Sequence, residues 1–91
     1  MDINKDTTDF LLSNLEKLHT TEMGIARIKK NLSINVNNVV NYCKEQIEKP
    51  GTIIYRKGKN YYASVDDCTI TINAHSHTII TAHIIKSKRQ K

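Results

Sequence analysis

Apolar residues return every three or four positions through the first half of the chain, and every second position after Gly51. The first spacing is that of helices with one buried face, and the second that of strands with one wet face. Leu11, Leu15 and Leu18, widened by Phe10 and Leu12, predict a helix over 6–18, with Thr7 or Thr8 able to cap it. Ile25, Ile28 and Leu32 predict a second helix, from 21 or 22 to about 32, with Gly24 in its first turn. Val36, Val39, Val40, Cys43 and Ile47 predict a third, capped by Asn35 and stopped by Pro50-Gly51.

The alternating half divides at its turn residues. Strands are expected over 52–56, 61–65, 68–73 and 77–85, separated by Lys57-Gly58-Lys59-Asn60, by Asp66-Asp67 and by 74–76. The expected fold class is therefore α+β: three N-terminal helices packed on a C-terminal antiparallel sheet of about four strands. Residues 1–85 form the expected domain and 86–91 a basic tail.

Ninety-one residues suit a single domain with a modest core. No apolar run is long enough to span a bilayer, and the polar, acidic first nine residues do not resemble a secretory signal. A cytoplasmic protein without membrane contact is expected. Cys43 and Cys68 each occupy a core position, so free buried thiols are expected rather than a disulfide. The net charge of +5 changes the picture little. Lys86, Lys88, Arg89 and Lys91 carry most of it, leaving the body near +1. A basic tail can contact phosphates, but it is as often a solvated terminus.

Alternation in the last strand predicts Thr78, Ile80, Ala82 and Ile84 inside, and His77, Ile79, Thr81 and His83 on the other face. Thr69, Thr71 and Asn73 of the preceding strand would join that second face, bordered by Arg56, Lys57 and Tyr62. Such a surface holds the groups needed to cleave RNA without a metal. Histidine, titrating near pH ~6.5, can take the 2′-hydroxyl proton or protonate the leaving oxygen. Cations and hydroxyls steady the phosphorane charge, and an aromatic holds an unstacked base. Threonine is also the ordinary residue of a wet sheet face, so composition alone does not separate a site from solvated surface.

His75 and His77, with His83 further on, offer imidazoles to zinc. The turn at 74–76 would aim His75 elsewhere, and no cysteine or carboxylate completes a ligand set. No metal and no cofactor is expected. His19, between the first two helices, is either part of a capped loop or a base facing the sheet.

The segments His19-Thr20-Thr21-Glu22-Met23-Gly24, Arg27-Ile28-Lys29-Lys30-Asn31-Leu32 and Asp66 through Ser76 resemble a family of small bacterial proteins of unknown function. The resemblance covers residues 10 to 84; it implies a stand-alone domain and no activity. The order of elements, ending in His77-Thr78-Ile79-Ile80-Thr81-Ala82-His83, also resembles the superfamily joining barnase, the RNA-cleaving colicins and RelE-type toxins. That resemblance implies catalytic roles for His19, Arg56 and Thr81, assisted by His77 or His83. No glutamate lies among the strands, so histidine would replace a barnase-like carboxylate base.

The leading expectation is a metal-independent endoribonuclease of the small toxin type. Its catalytic candidates are His19, His77, Thr81 and His83. Its RNA-binding candidates are Arg56, Lys57, Tyr62, Thr71 and Asn73, and RNA and a protein antidote would be its partners. One rival is a non-catalytic phage or mobile-element protein that inhibits a host enzyme. Another is a winged-helix-like DNA-binding module, with Asn37, Asn38, Asn41, Lys44 and Glu45 exposed on the third helix.

Overall fold

The computed structural model describes residues 5–85, and the basic tail lies outside them. Helix α1 spans Lys5–Ser13, α2 Glu22–Leu32 and α3 Val39–Glu48; strands β1 Ile53–Lys57, β2 Asn60–Val65, β3 Cys68–Asn73 and β4 Ile79–Ile84 follow. The strands form one antiparallel sheet in the order β1-β2-β3-β4. The α+β class with helices before the sheet is the architecture expected from the change of period.

Local chemistry sets the helix ends. The first helix is shorter than its apolar spacing implies. Asn14 Nδ2 donates to the Phe10 carbonyl at 2.7 Å, and a 3₁₀ turn over Leu15–Lys17 replaces the last helical turn. A side chain that takes an i−4 carbonyl competes with the helix ladder. Thr21 caps α2 by accepting from the Gly24 amide at 3.0 Å, and Ser33, left-handed at φ 55°, ends it. Helix α3 is capped by Asn38 rather than Asn35, through the Asn41 amide at 2.9 Å.

The stripe that α2 buries is Gly24, Ile28 and Leu32; Ile25, expected on it, is exposed. Glycine takes this place because the helix passes close to β4. A Cβ on Gly24 would collide with Thr20 Oγ1 and stand 3.5 Å from the Ile79 carbonyl oxygen. Thr20 Oγ1 itself donates to that carbonyl at 2.7 Å. Leu11, Leu18, Ile28, Leu32, Val39, Cys43 and Ile47 from the helical half meet Ile54, Tyr61, Ala63, Ile70, Ile72, Ile79 and Ala82 from one face of the sheet. This is the core.

Asp66 and Asp67 both have positive φ, 50° and 65°, which gives the β2–β3 hairpin the backbone of a type I′ turn. A β-bulge interrupts the pairing of β4. Thr81 pairs with Thr71, but Ile79 pairs with Ile72, so Ile80 is an extra residue. The bulge corrects the simple alternation. After it, Ala82 and Ile84 share the helix side while Thr81 and His83 share the other. Before it the parity reverses: Ile79 is core, Ile80 is half-buried, and β4 begins at Ile79 rather than His77.

Candidate nucleic-acid interface

The face of the sheet opposite the core is ordered by strand pairing into three rows. The first is Ile53, Ser64, Thr69 and His83; the second Tyr55, Tyr62, Thr71 and Thr81; the third Lys57, Asn60 and Asn73. Neighbours within a row lie about 5 Å apart, and successive rows about 7 Å apart. The helical residues of the core meet only the other face, so this one is left open among the described residues.

The middle row is the most organised. Tyr55 and Tyr62 stack with ring centroids 5.3 Å apart and planes 22° from parallel. Both are half-buried, which leaves ring surface for a third planar group. Thr69 and Thr71 are buried at 5% and 7% exposure. In their rows Thr71 lies between Tyr62 and Thr81, and Thr69 between Ser64 and His83. Ser64 Oγ and Thr69 Oγ1 share a hydrogen bond of 3.3 Å. At the far edge Asn31 Nδ2 of α2 donates to Thr81 Oγ1 at 3.3 Å, so α2 borders the face along β4. Met23, Arg27 and Lys30, all exposed, line a shallow groove with Asn31 and give that border two cations.

Charge divides the face lengthwise. Lys57 and Lys59 stand at the end formed by the β1–β2 hairpin. Asp66 and Asp67 stand at the opposite end, where Ile53, Ser64, Thr69 and Ile85 line a second groove. Lys49 pairs with Asp66 at 3.0 Å, which leaves Asp67 facing solvent. A polyanion is drawn toward the lysine end.

Most of the residues singled out in the sequence fall on this face: Lys57, Tyr62, Thr71, Asn73, Thr81 and His83. Two do not. Arg56 pairs with Tyr61 and so belongs to the helix side, its guanidinium 5.8 Å above the Tyr61 ring and its Nε donating to the Gly58 carbonyl at 3.1 Å. His77, expected on the open face, is buried on the helix side because the bulge reverses the parity. Its ring lies 6.2 Å from that of Phe10, its φ is 61°, and its Nε2 is buried with no partner among the described residues.

His19 is exposed at the edge of the sheet, joined to Thr78 by a parallel bridge. Its Nδ1 is 3.0 Å from the Lys17 carbonyl and its Nε2 is 3.0 Å from Thr78 Oγ1. Thr78 stands opposite Asn73, in the lysine-end row, whereas His83 stands opposite Thr69, two rows away. The four catalytic candidates therefore do not meet at one point. Sequence reasoning missed Tyr55, Thr78 and Asn31. Alternation from buried Ile54 would have found Tyr55. Thr78 needs the bulge, and Asn31 reaches the face from another element, so no one-dimensional signal marks either.

Residues 12–83 match the profile of DUF3781, described as a protein of unknown function. The chain belongs to the DUF3781 family. The match spans all three elements of the candidate face: the His19 loop, the α2 border and the four strands. No curated protein and no solved structure gives a match, and nothing found here links this DUF3781 protein to the barnase, colicin and RelE superfamily.

Other chemistry has less support among the described residues. No group of three or more His, Cys, Asp or Glu side chains could hold a metal ion, and no helix is long and apolar enough to cross a membrane. Both cysteines are free. Burial, helped slightly by Cys68, pushes the Cys43 thiol up to about 12, and burial with Asp66 raises Cys68 against the pull of Lys49. Neither has the lowered pKa of a nucleophilic thiol. On α3, Asn38 Oδ1 is taken by the helix cap and Asn41 Nδ2 by Glu45 at 3.3 Å.

Proposed function

We propose that this DUF3781 protein is a metal-independent endoribonuclease that lays single-stranded RNA across the open face of its sheet. The observation that carries this reading is the middle row, where a stacked tyrosine pair leads into Thr71 and Thr81. Such a row suits an unstacked base beside its own backbone, since base–aromatic stacking tolerates any sequence and hydroxyls can reach phosphate or ribose oxygens. Lys57 and the Arg27–Lys30 border supply cations on two sides, while Asp66 and Asp67 discourage the strand from the third. Thr81, steadied by Asn31, and exposed His83 are the polar groups of β4 that such a strand would meet.

The test is incubation of the purified protein with single-stranded RNA in excess EDTA, with Tyr62→Ala and Thr81→Ala beside it. The reading expects products with 2′,3′-cyclic phosphate ends. It expects Tyr62→Ala to weaken RNA binding about tenfold, the scale of one lost stacking contact. RNA left intact and unbound would exclude it. RNA bound but intact would favour a second reading, a non-catalytic interaction module, for which the dispersal of His19, His77 and His83 is the specific support.

A further inference from the structure

At the lysine end of the open face lies a chain of hydrogen bonds. Ser76 Oγ is 2.7 Å from Thr78 Oγ1, Thr78 Oγ1 is 3.0 Å from His19 Nε2, and His19 Nδ1 is 3.0 Å from the Lys17 carbonyl oxygen. Asn73 Oδ1 braces its start, accepting the amides of His75 and Ser76 at 2.9 Å each. We propose that His19 is the general base of the RNA site and that Thr78 and Ser76 are its positioning residues. This inference rests on the ribonuclease reading and locates its chemistry.

Chemistry fixes the tautomer. A carbonyl oxygen only accepts, so Nδ1 carries the proton in the Lys17 contact, and the Nε2 of a neutral ring is left bare. Thr78 then donates to Nε2, and Ser76 Oγ, which donates to Asn73 Oδ1 at 3.2 Å, stands 2.7 Å from the Thr78 hydroxyl. A base held by a third group, with its free nitrogen already accepting from a hydroxyl, is the arrangement that proton abstraction needs.

The backbone holds this arrangement from both sides. The His19 amide donates to the His77 carbonyl at 3.2 Å, and the Ile79 amide donates to the His19 carbonyl at 2.7 Å. Between them His77 keeps a left-handed backbone with φ 61°, a conformation uncommon outside glycine and over-represented at functional sites. His19 and Thr78 are both solvent-accessible. Thr78 lies opposite Asn73, at the end of the row that begins with Lys57 and far from Asp66 and Asp67. His83, at the acidic end, is the less suited histidine.

The step balances without a metal. The 2′-hydroxyl takes the place of the Thr78 hydroxyl and gives its proton to Nε2, and the O2′–P bond forms. The P–O5′ bond breaks, the leaving 5′-oxygen takes a proton from water, and His19 returns its own to solvent. The products are a 2′,3′-cyclic phosphate and a 5′-hydroxyl.

The experiment compares wild type, His19→Ala, Thr78→Ser and Thr78→Val on a single-stranded RNA oligonucleotide in EDTA, each checked for folding by its melting transition. In parallel, ¹⁵N spectra of the wild-type imidazoles report the His19 tautomer. The expectation is an Nδ1–H ring and a loss of about 100-fold or more in kcat for His19→Ala, with KM nearly unchanged. Thr78→Ser should keep near wild-type turnover, while Thr78→Val should lower kcat and shift the Nε2 resonance. A folded His19→Ala that cleaves at the wild-type rate, or an Nε2–H ring, would overturn this inference and leave the ribonuclease reading standing. Failure of the wild type to cleave would overturn both.

Discussion

The two faces of the sheet hide their central residues by different means. On the helix side Ile70 and Ile72 are fully buried under α1, α2 and α3, and the small Ala63 and Ala82 sit among them. On the open side Thr69 and Thr71 are almost as inaccessible, flanked in their rows by Ser64 and His83 and by Tyr62 and Thr81. Burial under a helical layer is bought with apolar surface and sets stability. Burial on the open side is among hydroxyl-bearing and aromatic neighbours. A residue's accessibility therefore does not say which face is structural. The chemistry of its surroundings does.

The comparison breaks most plainly on the helix side. Ile70→Ala should cost about 2–5 kcal/mol by chemical denaturation, because the helices above can close the space only partly. A cost below 1 kcal/mol would mean the helices do not form a close-packed layer. Gly24→Ala should cost about 1–3 kcal/mol, because the new methyl displaces Thr20 Oγ1 from the Ile79 carbonyl. A neutral result would show that α2 can move away from β4 freely.

Cys43 gives the same face a pH signature. Its folded thiol is raised to about 12 from an ordinary 9.0, so the native state favours the neutral form. That contribution is fully present below the unfolded pKa and is lost as pH rises from about 9 toward 12. Denaturation followed across that range should show falling stability, and less of it in Cys43→Ala. At neutral pH an alkylating reagent should modify Cys43 only on unfolding.

On the open side the largest effects should fall on the ligand and the smallest on the fold. Thr71→Val keeps the strand-favouring shape and removes the hydroxyl. It should change stability by less than about 1 kcal/mol while weakening RNA binding severalfold. Equal loss of both would put Thr71 with the core residues and erase the distinction between the faces.

Most of the fold was legible because period and turn chemistry agree. The change of spacing after Gly51 and the paired aspartates at 66–67 each have one physical solution. The misreadings came from side-chain bonds and tertiary contacts that periodicity does not carry. Asn14 shortened α1 with a side-chain bond, Gly24 replaced Ile25 on the buried stripe because β4 lies close, and the Ile80 bulge moved His77 inside. The site was legible to the same extent. Thr71, Thr81 and Tyr62 follow from alternation, but the His19–Thr78 contact joins residues 59 positions apart and leaves no periodic trace.

The most direct test of the open face as an RNA surface is amide and tyrosine-ring chemical-shift mapping with a short oligonucleotide carrying 2′-deoxyribose at the nucleotide to be cleaved, which binds without reacting. Shifts confined to Tyr55, Tyr62, Thr71, Asn73, Thr81 and the His19–Thr78 edge are the predicted result. Shifts on the exposed surface of α3, or none at all at millimolar oligonucleotide, would contradict the account.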